Sequence, residues 1–197
     1  MKTYAIVEIF RSLQGEGLRA GTAAVFVRFA GCNLRCTKEK DGFDCDTDHH
    51  ERMRLSLAEV AGTVKSEAGP VRWVVLTGGE PGLQIDDALV ARLHEEGFKI
   101  AVETNGTVKL PEGLDWIAVS AKPGRYPFKV EDPQEVKVVL EAEQPVPPMC
   151  LGCPVLLSPA FDGQVLDRKA VEWCVKLVEE NPQWRLSIQQ HKVLKIR

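Results

Sequence analysis

The feature that most limits the folds open to this chain is a series of short apolar strands, each of which runs directly into a polar or glycine-containing tip. Arg72–Leu76 is a continuous apolar run of the buried parallel type and leads straight into TGGEP. Phe98–Val102 leads in the same way into ETNG, and Trp116–Val119 into SAKP. In a parallel α/β barrel such tips share one rim, which is where chemistry is built.

Helical patterns are fewer than strands. Three helices are predicted, at Ser56–Glu67, Gln84–Glu96 and Asp167–Glu180, and Ser56 with Glu59 forms a capping box at the start of the first. These crossovers are too few and too short for eight full βα units. We therefore predict an α/β protein, a partial, opened (β/α) barrel with about six parallel strands and about three full helices.

Length and composition narrow the class of protein. With 197 residues we expect one domain spanning positions 1–197. The net charge of −3 offers no basic surface for nucleic acid, and no apolar run reaches the roughly 20 residues of a membrane span. The N-terminus lacks the layout of a signal peptide, so we expect a cytoplasmic protein. In that compartment six cysteines indicate metal or redox chemistry rather than disulfides.

Half of those cysteines lie in one loop. Cys32, Cys36 and Cys45 fall within GCNLRCTKEKDGFDCDTD, which spans Gly31–Asp48. Structural zinc prefers four protein ligands, whereas three thiolates suit a cubane 4Fe–4S cluster whose fourth iron is left for a small ligand. A redox loop or a zinc loop remains an alternative interpretation of the same residues.

The Cys-x3-Cys opening resembles the radical S-adenosylmethionine (SAM) enzymes, although their usual second gap is two residues and here it is eight, Thr37–Asp44. A more specific resemblance follows from seven motifs that occur in order: SLQGEG, RFAGCNLRC, CDT, TGGEP, ETNG, SAKP and the terminal SIQQH. This series is similar to that of the 7-carboxy-7-deazaguanine synthase family and extends from residue 8 to the end of the chain. Seven short motifs in one order are hard to obtain by chance.

The resemblance implies a carbon–nitrogen lyase of queuosine and deazapurine biosynthesis. In that family a reduced 4Fe–4S cluster cleaves SAM, and the resulting radical takes a hydrogen from 6-carboxy-5,6,7,8-tetrahydropterin. The ring contracts, ammonia leaves and SAM is re-formed, with Mg²⁺ assisting. The implied partners are this small pterin, an electron donor such as flavodoxin, and a second copy in a homodimer, with neither nucleic acid nor membrane.

The same resemblance implies the cofactor-binding residues. Cys32, Cys36 and Cys45 would hold the cluster, and the Thr47 hydroxyl would bind Mg²⁺, which prefers oxygen ligands. Within GGEP, Glu80 would supply charge to the ammonium group of SAM. Ala121 stands where the family has proline and Ser158 where it has glutamine. The implied SAM-binding residues are Asp44, Asp46, Gly79, Glu80, Glu103, Thr104, Ser120, Ala121, Lys122, Ser158, Pro159, Ala160 and Phe161.

The implied substrate site has simpler explanations as well. Arg28 would clamp the substrate carboxylate, yet an arginine at a strand end is often a surface charge. SLQGEG read alone is a hairpin turn, and a lone His191 is more often structural. Arg197 lies six residues after His191, which is the family's spacing to its C-terminal ligand. The implied substrate-binding residues are Leu13, Gln14, Gly15, Arg28, Thr77, His191 and Arg197.

Two other functions compete with this one. A glycyl-radical activating enzyme would share the cluster loop, but it would not need the SLQGEG turn, Arg28 or the His191 tail. A non-catalytic metal-binding module would need neither GGEP nor ETNG at its strand tips. Cys150 and Cys153 form a separate Cys-x2-Cys pair, which we interpret as a thiol-bearing loop without a catalytic role.

Overall fold

The computed structural model describes residues 2–41, 44–45, 47–122, 127–147, 152–163 and 165–196. The helices in this part of the chain are α1 (Lys38–Asp41), α2 (Leu57–Ala68), α3 (Asp87–Glu95), α4 (Arg168–Glu180) and α5 (Gln190–Leu194). The strands are β1 (Thr3–Leu13), β2 (Ala23–Phe29), β3 (Met53–Ser56), β4 (Trp73–Gly78), β5 (Lys99–Thr104), β6 (Trp116–Ala121), β7 (Glu135–Leu140), β8 (Val155–Pro159), β9 (Phe161–Asp162), β10 (Val165–Leu166) and β11 (Trp184–Leu186).

Nine of these strands form one open sheet in the order β11-β8-β7-β6-β5-β4-β2-β1-β3, while β9 and β10 form a separate hairpin. From β2 to β11 every neighbouring pair in this order is parallel, whereas β1 is antiparallel to both β2 and β3. The prediction of an opened parallel barrel is therefore confirmed. The parallel part has seven strands where about six are predicted, and α2, α3 and α4 are the three full helices.

The two faces of the sheet differ because successive residues of a strand point to opposite sides. On the outer face, Leu76 and Val102 join a core completed by the apolar sides of α2 and α3. The predicted capping box begins α2, with the Ser56 hydroxyl accepting from the Glu59 amide and the Glu59 carboxylate accepting from the Ser56 amide. Cys174 of α4 packs into a second core beside β7 and β8.

The inner face is apolar near the amino ends of the strands and polar near their carboxyl ends. Phe10 and Phe26 stack on each other at a centroid distance of 5.3 Å and pack with Trp73 and Trp116. The Arg19 guanidinium lies 3.5 Å from the centre of the Trp73 ring. Its Nη atoms have no hydrogen-bond partner among the described residues. The contact with the Trp73 ring is therefore the interaction that stabilises this buried cation.

Several elements differ from the sequence prediction. Thr3–Leu13 is longer than the predicted strand Ala5–Phe10, and the SLQGEG segment leads into a 3-10 helix at Gly17–Arg19 rather than a tight hairpin turn. β3, α1, α5 and the β9–β10 hairpin are absent from the prediction because segments of two to five residues show no usable periodicity.

No helix within the described ranges is both long enough and apolar enough to cross a membrane. One domain spanning the whole chain stays a prediction.

Candidate active site

Two cavities meet at the carboxyl ends of the parallel strands. The first, the cysteine cavity, has a volume of about 370 Å³ and is lined by Cys32, Cys36 and Cys45 together with the tips of β4 to β8. The second, the arginine cavity, has a volume of about 640 Å³ and is lined by Arg28, the end of β1 and residues of α5. Their shared wall consists of Glu16, Thr47, Thr77, Glu103 and Gln189. A molecule in one cavity therefore lies beside a molecule in the other.

The start of the cysteine loop is fixed by the tip of β4. The Gly31 carbonyl accepts a hydrogen bond from the Glu80 amide at 2.9 Å, and the Gly31 amide donates to the His49 carbonyl at 2.8 Å. Gly79 lies so close that a Cβ there would stand 2.0 Å from the Gly31 oxygen and 3.0 Å from the Cβ of Cys32. The second glycine of GGEP is thus required by the approach of two backbones.

The tip of β5 holds the same loop from the other side. The Asn105 side-chain amide donates to the Asn33 side-chain oxygen at 3.0 Å and lies 4.0 Å from the Cys32 sulfur. The Leu34 amide points at the same sulfur from 3.4 Å. Asn105, the third residue of ETNG, also lines the cysteine cavity.

Cys36 and Cys45 line the same cavity despite the eight-residue gap between them. α1 begins within it, the buried Asp41 carboxylate accepts from the Thr37 amide at 3.0 Å, and the Cys45 amide returns to the Cys36 carbonyl at 3.3 Å. Asp44 lines the cavity and accepts from the Lys38 amide at 2.9 Å. Residues 38–41 of the gap therefore fold into a turn of helix, while Asp46 lies outside the described residues.

Burial raises the pKa of the Cys32 thiol and of the Cys36 thiol. Because a thiol binds iron or zinc only as the thiolate, metal binding here must release protons.

Glu80, which the family resemblance places against the SAM ammonium group, lies inside the protein in this structure. It is fully buried and lines neither cavity, and its carboxylate accepts from the Thr104 hydroxyl at 2.7 Å, the Asn105 amide at 2.7 Å and the Gly82 amide at 2.9 Å. Burial raises the pKa of the Glu80 carboxyl, and the three hydrogen bonds, which act to lower it, only partly offset that effect. In this structure Glu80 ties the tip of β4 to the tip of β5, and it is Gly79 that faces the cavity.

Most of the other residues predicted to bind SAM line the cysteine cavity. Lys122 donates to the Ser120 hydroxyl at 2.9 Å, and burial lowers the pKa of its ammonium. Ala121 is the exception, because it packs in the core beside β7 and lines neither cavity. The predicted residues found in this wall are Asp44, Gly79, Glu103, Thr104, Ser120, Lys122, Ser158, Pro159, Ala160 and Phe161.

The residues predicted to bind the substrate gather around the arginine cavity. Arg28 donates through Nε to the Glu8 carboxylate at 2.9 Å, so its guanidinium is held in place by the neighbouring strand. The Gln14 side chain donates to Glu103 at 2.6 Å and accepts from the Glu16 amide at 3.1 Å. Those that line this cavity are Leu13, Gln14, Gly15, Arg28, Thr77 and His191.

The C-terminal helix packs directly on the turn after β1. The Gln190 amide donates to the Gly15 carbonyl at 2.9 Å, and a Cβ at Gly15 would lie 2.2 Å from Nδ1 of His191. Glycine at position 15 therefore lets His191 reach the cavity wall. Arg197, the predicted terminal ligand, lies outside the described residues.

Lys137 is the main site residue that the sequence analysis did not identify. Its ammonium lines the cysteine cavity, 2.5 Å from the Glu16 carboxylate and 3.7 Å from that of Glu103. A usable signal was present, because a lysine between Val136 and Val138 interrupts an otherwise buried parallel strand. Such a charge must face a site or a buried partner.

The chain is similar in sequence to several curated proteins of one function. No family model matches the chain. The 7-carboxy-7-deazaguanine synthase of Bradyrhizobium diazoefficiens is 42% identical over 99% of this chain and 100% of its own length. That of Caulobacter vibrioides is 44% identical over 98% of each chain, and that of Bacteroides thetaiotaomicron is 42% identical over 98% of each.

The chain belongs to the 7-carboxy-7-deazaguanine synthase family. The family resemblance of the motifs is thereby confirmed, and with it a radical SAM enzyme of the lyase class that uses a 4Fe–4S cluster, SAM and Mg²⁺. The crystal structure of QueE from Escherichia coli shares the fold, with a TM-score of 0.70 over 96% of this chain and 95% of that one at 24% identity. The activating enzyme and the binding module are set aside as alternatives.

The residues fit the cluster of this family. Cys32, Cys36 and Cys45 face one cavity, and the other polar groups in its wall are available to a further ligand. Within the described residues, no three His, Cys, Asp or Glu side chains converge as one metal ion would require. A cube makes a different demand, because each thiolate binds a different iron.

Proposed function

We propose that this chain converts 6-carboxy-5,6,7,8-tetrahydropterin into 7-carboxy-7-deazaguanine in deazapurine and queuosine biosynthesis. The observation that supports this most directly is the pair of adjoining cavities, with three cysteines in one and an arginine held by Glu8 in the other. The arrangement suits a radical generated in the first cavity and a small anionic substrate held in the second. A small molecule, rather than nucleic acid, is the proposed substrate.

When bound, the cluster and SAM supply the radical, and the protein holds, orients and shields. Cys32, Cys36 and Cys45 would bind three irons, and the Thr47 hydroxyl, in the shared wall, would bind Mg²⁺. SAM would lie against Gly79, against Thr104 on β5, against Ser120 on β6 and against Lys122, which follows β6. Ser158, Pro159, Ala160 and Phe161 would close the opposite side of the same cavity.

The arginine cavity would bind the pterin by its two polar ends. Arg28, held at Nε by Glu8, would present its two terminal nitrogens to the substrate carboxylate. The turn at Leu13, Gln14 and Gly15 would face the pterin edge, whose donors and acceptors alternate. Thr77 and His191 also line this cavity and would complete the pocket. A site built to pair such an edge strongly rejects analogues that lack one donor.

Replacing Arg28 with alanine should raise the KM for the pterin about 10- to 100-fold, because one charge-assisted contact contributes about 1.5–3 kcal/mol. Iron content and SAM binding should stay at wild-type values, since Arg28 does not line the cysteine cavity. The matched control is Arg168→Ala, which removes an arginine from an exposed ion pair with Glu172. An unchanged KM in Arg28→Ala would exclude the carboxylate clamp.

Three further assignments are part of the proposal. The first is an electron donor such as flavodoxin, which needs access to the cluster. The cluster loop lies at the rim of the cysteine cavity, where such a donor has access. Exposed Val193, Leu194 and Ile196 on and near α5 are apolar side chains that a second copy of the chain would cover in a homodimer. We also propose a cytoplasmic location, where free thiols persist.

Anaerobic turnover tests the function. Reconstituted protein, given SAM, Mg²⁺, a reductant and 6-carboxy-5,6,7,8-tetrahydropterin, should form 7-carboxy-7-deazaguanine and ammonia without net consumption of SAM. SAM cleavage that proceeds equally without the pterin would point to an activating enzyme. Colourless protein that retains zinc would point to a binding module.

A further inference from the structure

The shared wall of the two cavities is built around one buried lysine. The Lys137 side chain is only 5% exposed and extends from the middle of β7, between Val136 and Val138. Its ammonium lies 2.5 Å from Oε2 of Glu16 and 3.7 Å from Oε2 of Glu103. Both carboxylates line both cavities, whereas Lys137 lines the cysteine cavity alone, so Lys137 contacts the shared wall from that side.

The two carboxylates are held by further contacts that fix where their remaining lone pairs point. Glu16 Oε1 accepts from the Gln189 side chain at 3.0 Å, and Glu103 Oε1 accepts from the Gln14 side chain at 2.6 Å. A carboxylate oxygen offers two acceptor directions, so each group can still accept from a ligand. With exposures of 16% for Glu16 and 23% for Glu103, the remaining face of each is turned to the cavities.

We propose that Lys137 is a positioning residue that keeps Glu16 charged and holds Glu16 and Glu103 fixed in the shared wall, so that they accept hydrogen bonds from the N–H groups of the substrate's pterin ring. This inference rests on the proposed function, which supplies the pterin. Two carboxylates facing one site repel each other, and one of them gains a proton unless a cation lies between them. Lys137 is that cation, and it does not line the arginine cavity in which the pterin would lie.

The electrostatics agree with this geometry. Burial acts to raise the pKa of Glu16, but the Lys137 ammonium and the bonds from Lys137 and Gln189 outweigh it and lower that pKa to about 2. Burial acts to lower the pKa of Lys137, and the carboxylates of Glu103 and Glu16 reverse this and raise it. Other charged groups that act on this cluster are Glu135 on β7, Lys122 after β6, His191 in α5 and Arg19 near the start of the barrel strands.

The test is the affinity of reconstituted protein for 6-carboxy-5,6,7,8-tetrahydropterin, measured by anaerobic calorimetry in the presence of SAM. In Lys137→Gln the dissociation constant should rise about tenfold or more at about pH 5, because the Glu16 carboxylate gains a proton and a charged acceptor is lost. Burial then leaves Glu16 with a raised pKa, so affinity should recover as the pH rises from about 5 to about 8. The contribution of Glu16 in the wild-type protein should be constant over that range.

Lys176→Gln is the matched control, since Lys176 forms an exposed ion pair with Glu180, and it should bind the pterin like the wild type. If Lys137→Gln does not fold, the double variant Glu16→Gln with Lys137→Met takes its place. It removes both charges of the Lys137–Glu16 ion pair, so no unpaired charge is left at position 16. That double variant should fold, keep its iron and still lose pterin affinity about tenfold or more.

Wild-type affinity and pH profile in folded Lys137→Gln, or wild-type affinity in the double variant, would overturn the role of Lys137 while leaving the proposed function standing. A wild-type protein that neither binds nor converts the pterin would overturn both.

Discussion

Replacing Cys36 with alanine should remove the cluster and reduce turnover by more than about 100-fold. Cluster irons are held by cysteine thiolates, and a cube that has lost one of three protein ligands is open to solvent at two corners. The variant should remain folded, because Cys36 is partly exposed and belongs to none of the apolar cores. The same result is expected for Cys32 and Cys45. The measurements are iron and sulfide content after anaerobic reconstitution, and turnover.

Cys153→Ala is the control for this prediction. Cys153 is also a partly exposed cysteine, but it packs against the core beside β7 and β8 and does not line the cysteine cavity. Its iron content and turnover should match those of the wild type. Full cluster content in Cys36→Ala, or loss of the cluster in Cys153→Ala, would show that the cluster loop is wrongly assigned.

Replacing Gly79 with alanine should lower the free energy of unfolding by about 3 kcal/mol and abolish cluster binding. The new Cβ would stand 2.0 Å from the Gly31 oxygen and 2.5 Å from the Gly31 carbonyl carbon, and backbone atoms cannot move aside as a flexible side chain does. Because Cys32 follows Gly31, relief of the clash must displace a cluster ligand. Chemical denaturation and iron content measure the two effects.

Gly62→Ala is the matched control, because Gly62 lies within α2 and has nothing within 4 Å of its ideal Cβ position. Alanine in a helix interior should stabilise the protein by about 0.5–1 kcal/mol and leave the cluster unchanged. The same substitution should thus have opposite signs at the two positions. A Gly79→Ala protein as stable as the wild type would contradict the close approach of the β4 tip to the cysteine loop.

The parts of the fold that could be predicted from the sequence are those with long, regular patterns. The buried parallel strands were recognisable because several apolar residues in succession end at a polar tip, as in Arg72–Leu76 before TGGEP. The edge strand β3 and the short helix α5 could not be recognised, since four or five residues carry no usable period. Their placement depends on pairing with β1 and packing on Gly15, which are contacts between distant residues.

The site, too, could be predicted from the sequence only in part. Motifs located the residues of the cavity walls, but they did not show which of those residues face the cavity. Glu80 belongs to the GGEP motif, and only its three internal hydrogen bonds show that its carboxylate is turned into the protein. Lys137 belongs to no recognised motif, and its importance depends on two carboxylates that lie 121 and 34 positions away along the chain.

The most direct test of the whole account is a crystal structure of the anaerobically reconstituted protein with SAM. We expect one 4Fe–4S cube in the cysteine cavity, with Cys32, Cys36 and Cys45 each bound to a different iron. The fourth iron should carry the methionine end of SAM and no protein ligand. Cysteines too far apart to share one cube, or a protein side chain on the fourth iron, would contradict it.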